Sequence, residues 1–298
     1  MNLKIILLAV CLSCASIGKG QANDWEAAIY NVSLGSLFGG VGALINKNPG
    51  ELWHKVLFKG MWQGAAGGYV VFESKRMLRN IHKEEKLEYA WGANLLNAAG
   101  SSMIENAASN RDLWEQWNLP IGFIRMEFHT KNEFKFRPKI MPIAFGYTVY
   151  NVVQSKFEAE KSIKTGHLIF SNDSPDYFEN DFFTADAFWT PGGIVLNAQY
   201  KDFFDDLWYY EIISHEIVHA YQWNEFNAVN AFHLPLRNYL NQRSQIFNRL
   251  DQWIYWDMQG SVKDLLYQME NNIDRKCYYD NFIEHEAGYF SNTLYSCD

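Results

Sequence analysis

The segment EIISHEIVHA, residues 211–220, places two histidines four positions apart, with a glutamate directly after the first. On a helix, residues i and i+4 lie on one face, so His215 and His219 can offer two imidazole nitrogens to one metal ion. Glu216 stands beside them, where a carboxylate can take a proton from a metal-bound water and pass it to a leaving amine. With 8 histidines and 19 glutamates, a chance H-E-x-x-H match is expected only about 0.014 times.

A catalytic zinc ion normally has three protein ligands and one position open for water or substrate. The pattern H-E-x-x-H-x-x-G-x-x-H would supply a third histidine nearby. This chain excludes that pattern, because Gln222 and Glu225 occupy the places of the glycine and the third histidine. The third ligand must therefore come from a more distant segment.

The downstream segment DNFIEHEAGYFSN offers further donors on a predicted helix. The candidates for the third ligand there are Glu284 and Glu286, with His285 as the remaining one. Glu284 shares a helix face with small residues, which would let this helix approach the first one closely. These small residues are Ala287, Gly288 and Ser291.

The H-E-x-x-H segment, followed some 65 residues later by EHEAG, resembles the gluzincin metallopeptidases, in which a second helix brings a glutamate to zinc. Many such families, including the membrane-associated CAAX-type endopeptidases, show E-x-x-A at that place. The resemblance implies a zincin-like domain that hydrolyses peptide bonds with one Zn²⁺ per chain, held by His215, His219 and Glu284. Glu216 would act as base and acid. Where those endopeptidases carry an aspartate that orients a ligand, this chain has Gly288, so no partner for the histidines is identified.

Two further features bear on the predicted reaction. Tyr221, Tyr289 or His285 could assist the metal in stabilising the transition-state oxyanion. The segment FWTPGGIVLNAQY resembles in placement the edge strand along which zincins bind extended substrate, although an ordinary sheet strand is an equal alternative. The expected partner is a peptide or protein substrate. The alternative function is a non-catalytic envelope or membrane-associated protein with a degenerate zincin domain.

The N-terminus, MNLKIILLAVCLSCASIGKGQAND, has a basic start, an apolar run and small residues suited to signal peptidase. It predicts a signal peptide over residues 1–22 and an exported protein that is periplasmic, envelope-associated or secreted. Cleavage after Ala15 or Ala22 fits equally, and lipoprotein processing at Cys11 or Cys14 is the weaker alternative. Loss of two lysines with the leader moves the formal charge from −8 to about −10.

The remaining cysteines, Cys277 and Cys297, form an even pair in a chain predicted to reach an oxidising compartment. A disulfide between them is the default expectation, with two unpaired thiols as the alternative. It would brace the helix that carries Glu284. The spacing of Cys277 and Cys297 is not C-x-x-C and does not support a cysteine zinc site.

The composition is that of a globular protein that does not bind nucleic acid. The chain has 298 residues, of which 48% are hydrophobic, and 26 basic against 34 acidic side chains. This is enough apolar material for a sizeable core. No basic block could follow a phosphate backbone.

Residues 23–112 are rich in glycine and alanine at helical spacing and predict three close-packed helices. Gly60, Gly64 and Gly68 recur every four residues, which leaves one helix face without side chains and lets a neighbouring backbone approach. Gly35 and Gly39 repeat this spacing. We favour a soluble or peripheral helical layer, with a membrane-associated hairpin as the alternative.

From about residue 120 the pattern changes to short aromatic and β-branched runs, which predict a small antiparallel sheet. The runs include FIRMEFH, FKFRPKIMPIAFGYTVYNVV, GHLIFS and GGIVLNAQY. After Asp205 and Asp206 the chain is predicted to be helical again. The predicted fold is α+β, with a zincin-like domain over residues 113–298.

Overall fold

The computed structural model describes residues 23–178, 185–199, 206–225, 228–260 and 278–294. The predicted signal peptide and both cysteines of the predicted disulfide, Cys277 and Cys297, lie outside these residues. The leader and the disulfide therefore stay predictions.

Three helices form the N-terminal part, as the glycine and alanine spacing predicted. They are α1 (Asp24–Ile45), α2 (Trp53–Glu84) and α3 (Tyr89–Ala108). Helix α1 begins at Asn23, whose side chain accepts a 3.0 Å hydrogen bond from the backbone N–H of Glu26. Helix α2 packs against both of the others.

The glycines bring the backbones of α1 and α2 into direct contact. A Cβ atom on Gly64 would overlap the carbonyl oxygen of Gly35, and one on Gly68 would overlap that of Asn31. Gly39 and Gly60 meet in the same way one turn further along. The predicted close approach of two helices along a side-chain-free stripe is confirmed.

The strands form two sheets, where we predicted a single antiparallel one. The first is an antiparallel meander of β1 (Gln116–Ile121), β2 (Ile124–His129) and β3 (Lys135–Ile140). The second contains β4 (Lys156–Phe157), β5 (Ile169–Asn172), β6 (Ala187–Thr190) and β7 (Gly193–Asn197) in the order β4-β5-β7-β6. A two-residue turn joins β6 to β7 and places β7 between β5 and β6, parallel to β5. The second sheet is therefore mixed, while the chain as a whole is consistent with the α+β class.

One predicted strand is wrong over most of its length. Residues 142–153 of the run FKFRPKIMPIAFGYTVYNVV lie in helix α4 (Pro142–Gln154). Pro142 stands in the first turn, where its fixed φ favours a helix start. Ala144, Thr148 and Asn151 share the buried face at helical spacing, whereas the large aromatic and aliphatic residues that suggested a strand face outward. Two short helices follow, α5 (Ala159–Thr165) and α6 (Pro175–Phe178).

The C-terminal part is helical in the residues that the structure describes, as predicted. Its helices are α7 (Asp206–Asn224), α8 (Ala228–Phe232), α9 (Leu234–Arg243), α10 (Gln245–Trp253) and α11 (Phe282–Ser291), with a 3₁₀ turn at Tyr278–Asp280. Helices α7 and α11 contact each other, and both contact α2.

One hydrophobic cluster joins the N-terminal helices to the second sheet and the C-terminal helices. Its fully buried members come from all of these parts: Leu78, Ala90, Ile169, Ile194, Ile213, Ile217 and Phe290. The boundary at residues 112 and 113 stays a prediction, and side chains from both of its sides share this core.

Among the described helices, α1 is the one long and apolar enough to cross a membrane. The same length and composition also fit a core helix of a soluble protein. Its glycine face packs on α2, so protein already covers that side of the helix.

We expect Gly64→Ala to lower the free energy of unfolding by roughly 1–3 kcal/mol, because only a separation of α1 from α2 can relieve the overlap. The matched control is Gly146→Ala in α4, where an added Cβ meets nothing within 4 Å. That change should leave stability unaltered or raise it by up to about 1 kcal/mol. Urea unfolding followed by circular dichroism measures both, and equal effects would contradict the backbone contact.

Candidate metal centre

Helix α7 carries the first two metal-ligand candidates in its central turns. Ile213, Ile217 and Val218 are fully buried in the shared core and fix the helix against it. His215 is buried and His219 half-buried on the face that turns toward α11. The H-E-x-x-H segment is therefore helical, and its two imidazoles lie on one side, as the spacing predicted.

Helix α11 brings Glu284 to these imidazoles. It begins at Asn281, whose side chain accepts a 2.9 Å hydrogen bond from the N–H of Ile283. Glu284 stands in the first turn and is 2% exposed. Its Oε2 lies 3.3 Å from the Nε2 of His215 and 3.3 Å from that of His219.

The three donor atoms have the spacing of ligands that share one metal ion. The two Nε2 atoms lie 3.1 Å apart, which completes a triangle with the two 3.3 Å contacts. A tetrahedral zinc ion with bonds of about 2.0–2.1 Å separates its ligand atoms by about 3.3 Å. Two imidazoles and one carboxylate are also a known donor set for catalytic zinc.

Gln222 fixes the tautomer of His219. Its Nε2 donates at 2.9 Å to the carbonyl oxygen of Ile283 and at 2.9 Å to Oε2 of Glu286. A carbonyl oxygen and a carboxylate can only accept hydrogen bonds, so the Gln222 atom that faces them must be the amide nitrogen. The amide oxygen, Oε1, therefore faces Nδ1 of His219, at 2.8 Å. Nδ1 therefore carries a proton, and a neutral His219 presents the lone pair of Nε2 to the metal position.

His215 is oriented from its other nitrogen as well. Its Nδ1 lies 3.1 Å from Oγ1 of Thr293 and 3.4 Å from Oγ of Ser291. Asn292 adopts a left-handed conformation at the end of α11, with φ of 68°, and turns the chain so that Thr293 is buried beside the histidine. Each imidazole thus has one nitrogen held by protein and one aimed at the cluster.

The charges in the cluster are strongly coupled. Burial alone would raise the pKa of Glu284, but the two imidazoles hold it well below its ordinary value. Burial alone would lower the pKa of His219, but the Glu284 carboxylate raises it to about 9. A proton and a metal ion therefore compete for the same lone pair.

Glu216 lies beside the donors without joining them. It is 5% exposed and accepts a backbone hydrogen bond from Trp189, while its Oε2 is buried and has no hydrogen-bond partner among the described residues. Burial raises the pKa of this carboxyl. A buried carboxylate oxygen without a hydrogen-bond donor is suited to act as a general base.

Strand β6 borders the site. It is the last strand in the described part of the second sheet and pairs there with β7 alone. Trp189 of this strand contacts the ring of Trp223 in α7, with ring centroids 5.3 Å apart. The segment FWTPGGIVLNAQY, predicted to be one edge strand, forms two strands: residues 188–190 belong to β6, which contacts the helix with the ligands, and the larger part is β7, which pairs on both sides within the sheet.

The other sequence-predicted candidates lie elsewhere. Among the described residues, the donors that could hold one ion are His215, His219 and Glu284, and neither Glu286 nor His285 joins them. The structure does not bring the predicted tyrosines to the cluster. The hydroxyl of Tyr221 donates to Oδ1 of Asn94 at 2.6 Å, and that of Tyr289 donates to Oδ1 of Asp24 at 2.7 Å.

Gly288 does not serve the approach of α11 to α7 that the sequence suggested. A Cβ at this position would meet the ring of Tyr279 and the side chain of Leu294. Sequence reasoning also missed Gln222 and Thr293 as partners of the histidines. Gln222 lies three positions after His219, on the same helix face, and that spacing was the available signal.

Comparison with protein-family models, with curated proteins and with solved structures gave no match.

We expect the purified protein to contain close to one zinc ion per chain, measured by mass spectrometry of the metal content. His219→Ala and Glu284→Ala should each lose that metal, because two remaining donors hold a zinc ion poorly. His233→Ala is the control, since His233 is exposed and bonds to the carbonyl oxygen of Val229. Equal metal content in all four proteins would contradict the site.

Zinc affinity should rise with pH between about 6 and 9. Because Glu284 raises the pKa of His219 to about 9, binding at neutral pH must displace a proton. Release of one proton per ion makes the dissociation constant fall about tenfold per pH unit. Competition with a chromophoric chelator at several pH values measures this slope, and a flat profile would contradict the proton competition.

Proposed function

We propose that this chain is a zinc-dependent metallopeptidase that hydrolyses peptide bonds in an exported or envelope compartment. The observation that carries the proposal is the triangle of His215, His219 and Glu284 donors with the buried carboxylate of Glu216 beside it. Metal ligands and a proton acceptor in one water-poor site are the parts that metal-assisted hydrolysis requires.

The residues around the zinc position would have two roles, metal binding and proton transfer. When bound there by His215, His219 and Glu284, zinc supplies Lewis acidity. Glu216 accepts a proton from the attacking water and then delivers it to the leaving amine. Burial raises the pKa of Glu216, which brings its protonated and ionised forms closer in free energy and suits both steps.

The outer edge of β6 would hold an extended peptide. Groups that bond to a neighbouring strand alternate along an antiparallel pair, and the N–H of Trp189 is directed away from β7, toward Glu216. Ala187, two residues earlier, directs its N–H and C=O to the same side. A peptide that pairs with Ala187 at this edge would lie beside Glu216, which already accepts from the N–H of Trp189.

Location and membrane association form part of the same proposal. The leader-like residues 1–22 support export, and the length and apolar character of α1 support peripheral or hairpin association with a membrane. Such an enzyme would act on peptide or protein substrates of that compartment.

The decisive variant is Glu216→Gln. Because the amide cannot take up the proton, we expect cleavage to fall by a factor of about 10²–10⁴ with the zinc content unchanged. Cleavage is measured as new termini in a mixed peptide library by mass spectrometry, at equal zinc content. Glu160→Gln is the control, since its exposed side chain pairs with Lys164 on α5 and lies outside the candidate metal centre.

Two outcomes would contradict the proposed enzymatic function. A zinc-loaded wild type without cleavage would favour the alternative, a degenerate zincin domain that binds metal and does not turn over. Equal cleavage by wild type and Glu216→Gln would remove Glu216 from the mechanism.

A further inference from the structure

Lys75 is a charged side chain at the centre of the molecule. It projects from α2, is completely buried, and its Nζ lies 2.9 Å from Oε1 of Glu286 and in contact with the carboxylate of Glu225. Oδ1 of Asn31, on α1, lies 3.4 Å from the same nitrogen. Helices α1 and α2 therefore both contribute side chains to this buried cluster.

A buried lysine needs these partners to remain charged. Burial alone would lower the pKa of Lys75, but the two carboxylates raise it above its ordinary value. Replacement of a buried ion pair by apolar residues is often neutral or stabilising, so packing alone does not require this group.

Hydrogen bonds connect this cluster to a metal-ligand candidate without a break. Glu286 accepts from Lys75 through Oε1 and from Nε2 of Gln222 through Oε2. Gln222 in turn accepts from Nδ1 of His219 through Oε1, at 2.8 Å. Three hydrogen bonds thus link α2 to the imidazole, by way of α11 and α7.

We propose that Lys75 is a positioning residue for the metal centre, acting through Glu286 and Gln222 to fix the orientation and tautomer of His219. The inference rests on the proposed zinc site and adds to it a residue from the N-terminal helices. Lys75 holds Glu286 as a hydrogen-bond acceptor and keeps its carboxylate away from the metal position.

With Lys75 in place, Glu286 stays where Nε2 of Gln222 donates to it, and Oε1 of Gln222 stays turned toward Nδ1 of His219. A hydrogen bond at Nδ1 raises the basicity of Nε2 as a ligand.

The test compares zinc dissociation constants of folded proteins by chelator competition. Loss of an orienting partner typically weakens metal binding 10–100-fold, so we expect Lys75→Met to bind zinc 10–100-fold more weakly than wild type. Circular dichroism and urea unfolding of the zinc-free proteins measure stability separately. Lys83→Met is the matched control, because Lys83 is an exposed lysine of the same helix.

A double-mutant cycle shows whether Lys75 affects the zinc dissociation constant through Gln222. If it does, Lys75→Met should weaken zinc binding much less in a Gln222→Leu background than in wild type. Full additivity of the two changes would overturn the relay, that is, the action of Lys75 on His219 through Glu286 and Gln222. Should Lys75→Met not fold, Glu286→Gln replaces it in the cycle, since that change keeps the shape and removes one charge.

The outcomes separate this inference from the proposed function. A wild type that takes up no zinc would overturn the metallopeptidase and the relay together. A wild type that binds zinc, with Lys75→Met and Glu286→Gln binding it equally tightly, would overturn the relay alone. Lower stability of these variants with an unchanged dissociation constant would assign Lys75 a purely structural role.

Discussion

Electrostatic repulsion among the donor atoms is the constraint around which this molecule is organised. The lone pairs of two imidazoles and a carboxylate meet within 3.1–3.3 Å, and only a proton or a metal cation makes that approach favourable. Helices α7 and α11 hold the donors in place because each is anchored by fully buried side chains such as Ile217 and Phe290. Rigid support of this kind pre-organises a metal site.

The sequence predicted the parts of the site that depend on local periodicity. Helical spacing alone places His215 and His219 on one face, and the glycine repeat of α2 predicted the contact with α1. The choice of Glu284 over Glu286 rested on family resemblance and on the small residues of one helix face. In the structure it is Glu284 that lies with the histidines, although Gly288 serves a different contact.

The rest could not be predicted because it depends on contacts between distant segments. Lys75 looks like an ordinary charged residue of a long helix, and only the packing of α2 under α7 and α11 shows that it is buried. The strand prediction over helix α4 was wrong for a different reason. Its small residues and Thr148 face the protein, and its large aromatic and aliphatic residues face outward, so composition indicated a strand where the backbone forms a helix.

The distances along the chain between the partners in the metal centre have a consequence for the order of folding. His215 and Glu284 are 69 positions apart, and Lys75 and Glu286 are 211 positions apart. Contacts that close such long loops lose much chain entropy and form slowly compared with local helices. The glycine-paired helices α1 and α2, which are neighbours in sequence, can associate much earlier. We therefore expect the candidate metal centre to form late in folding, after the helices that carry its donors.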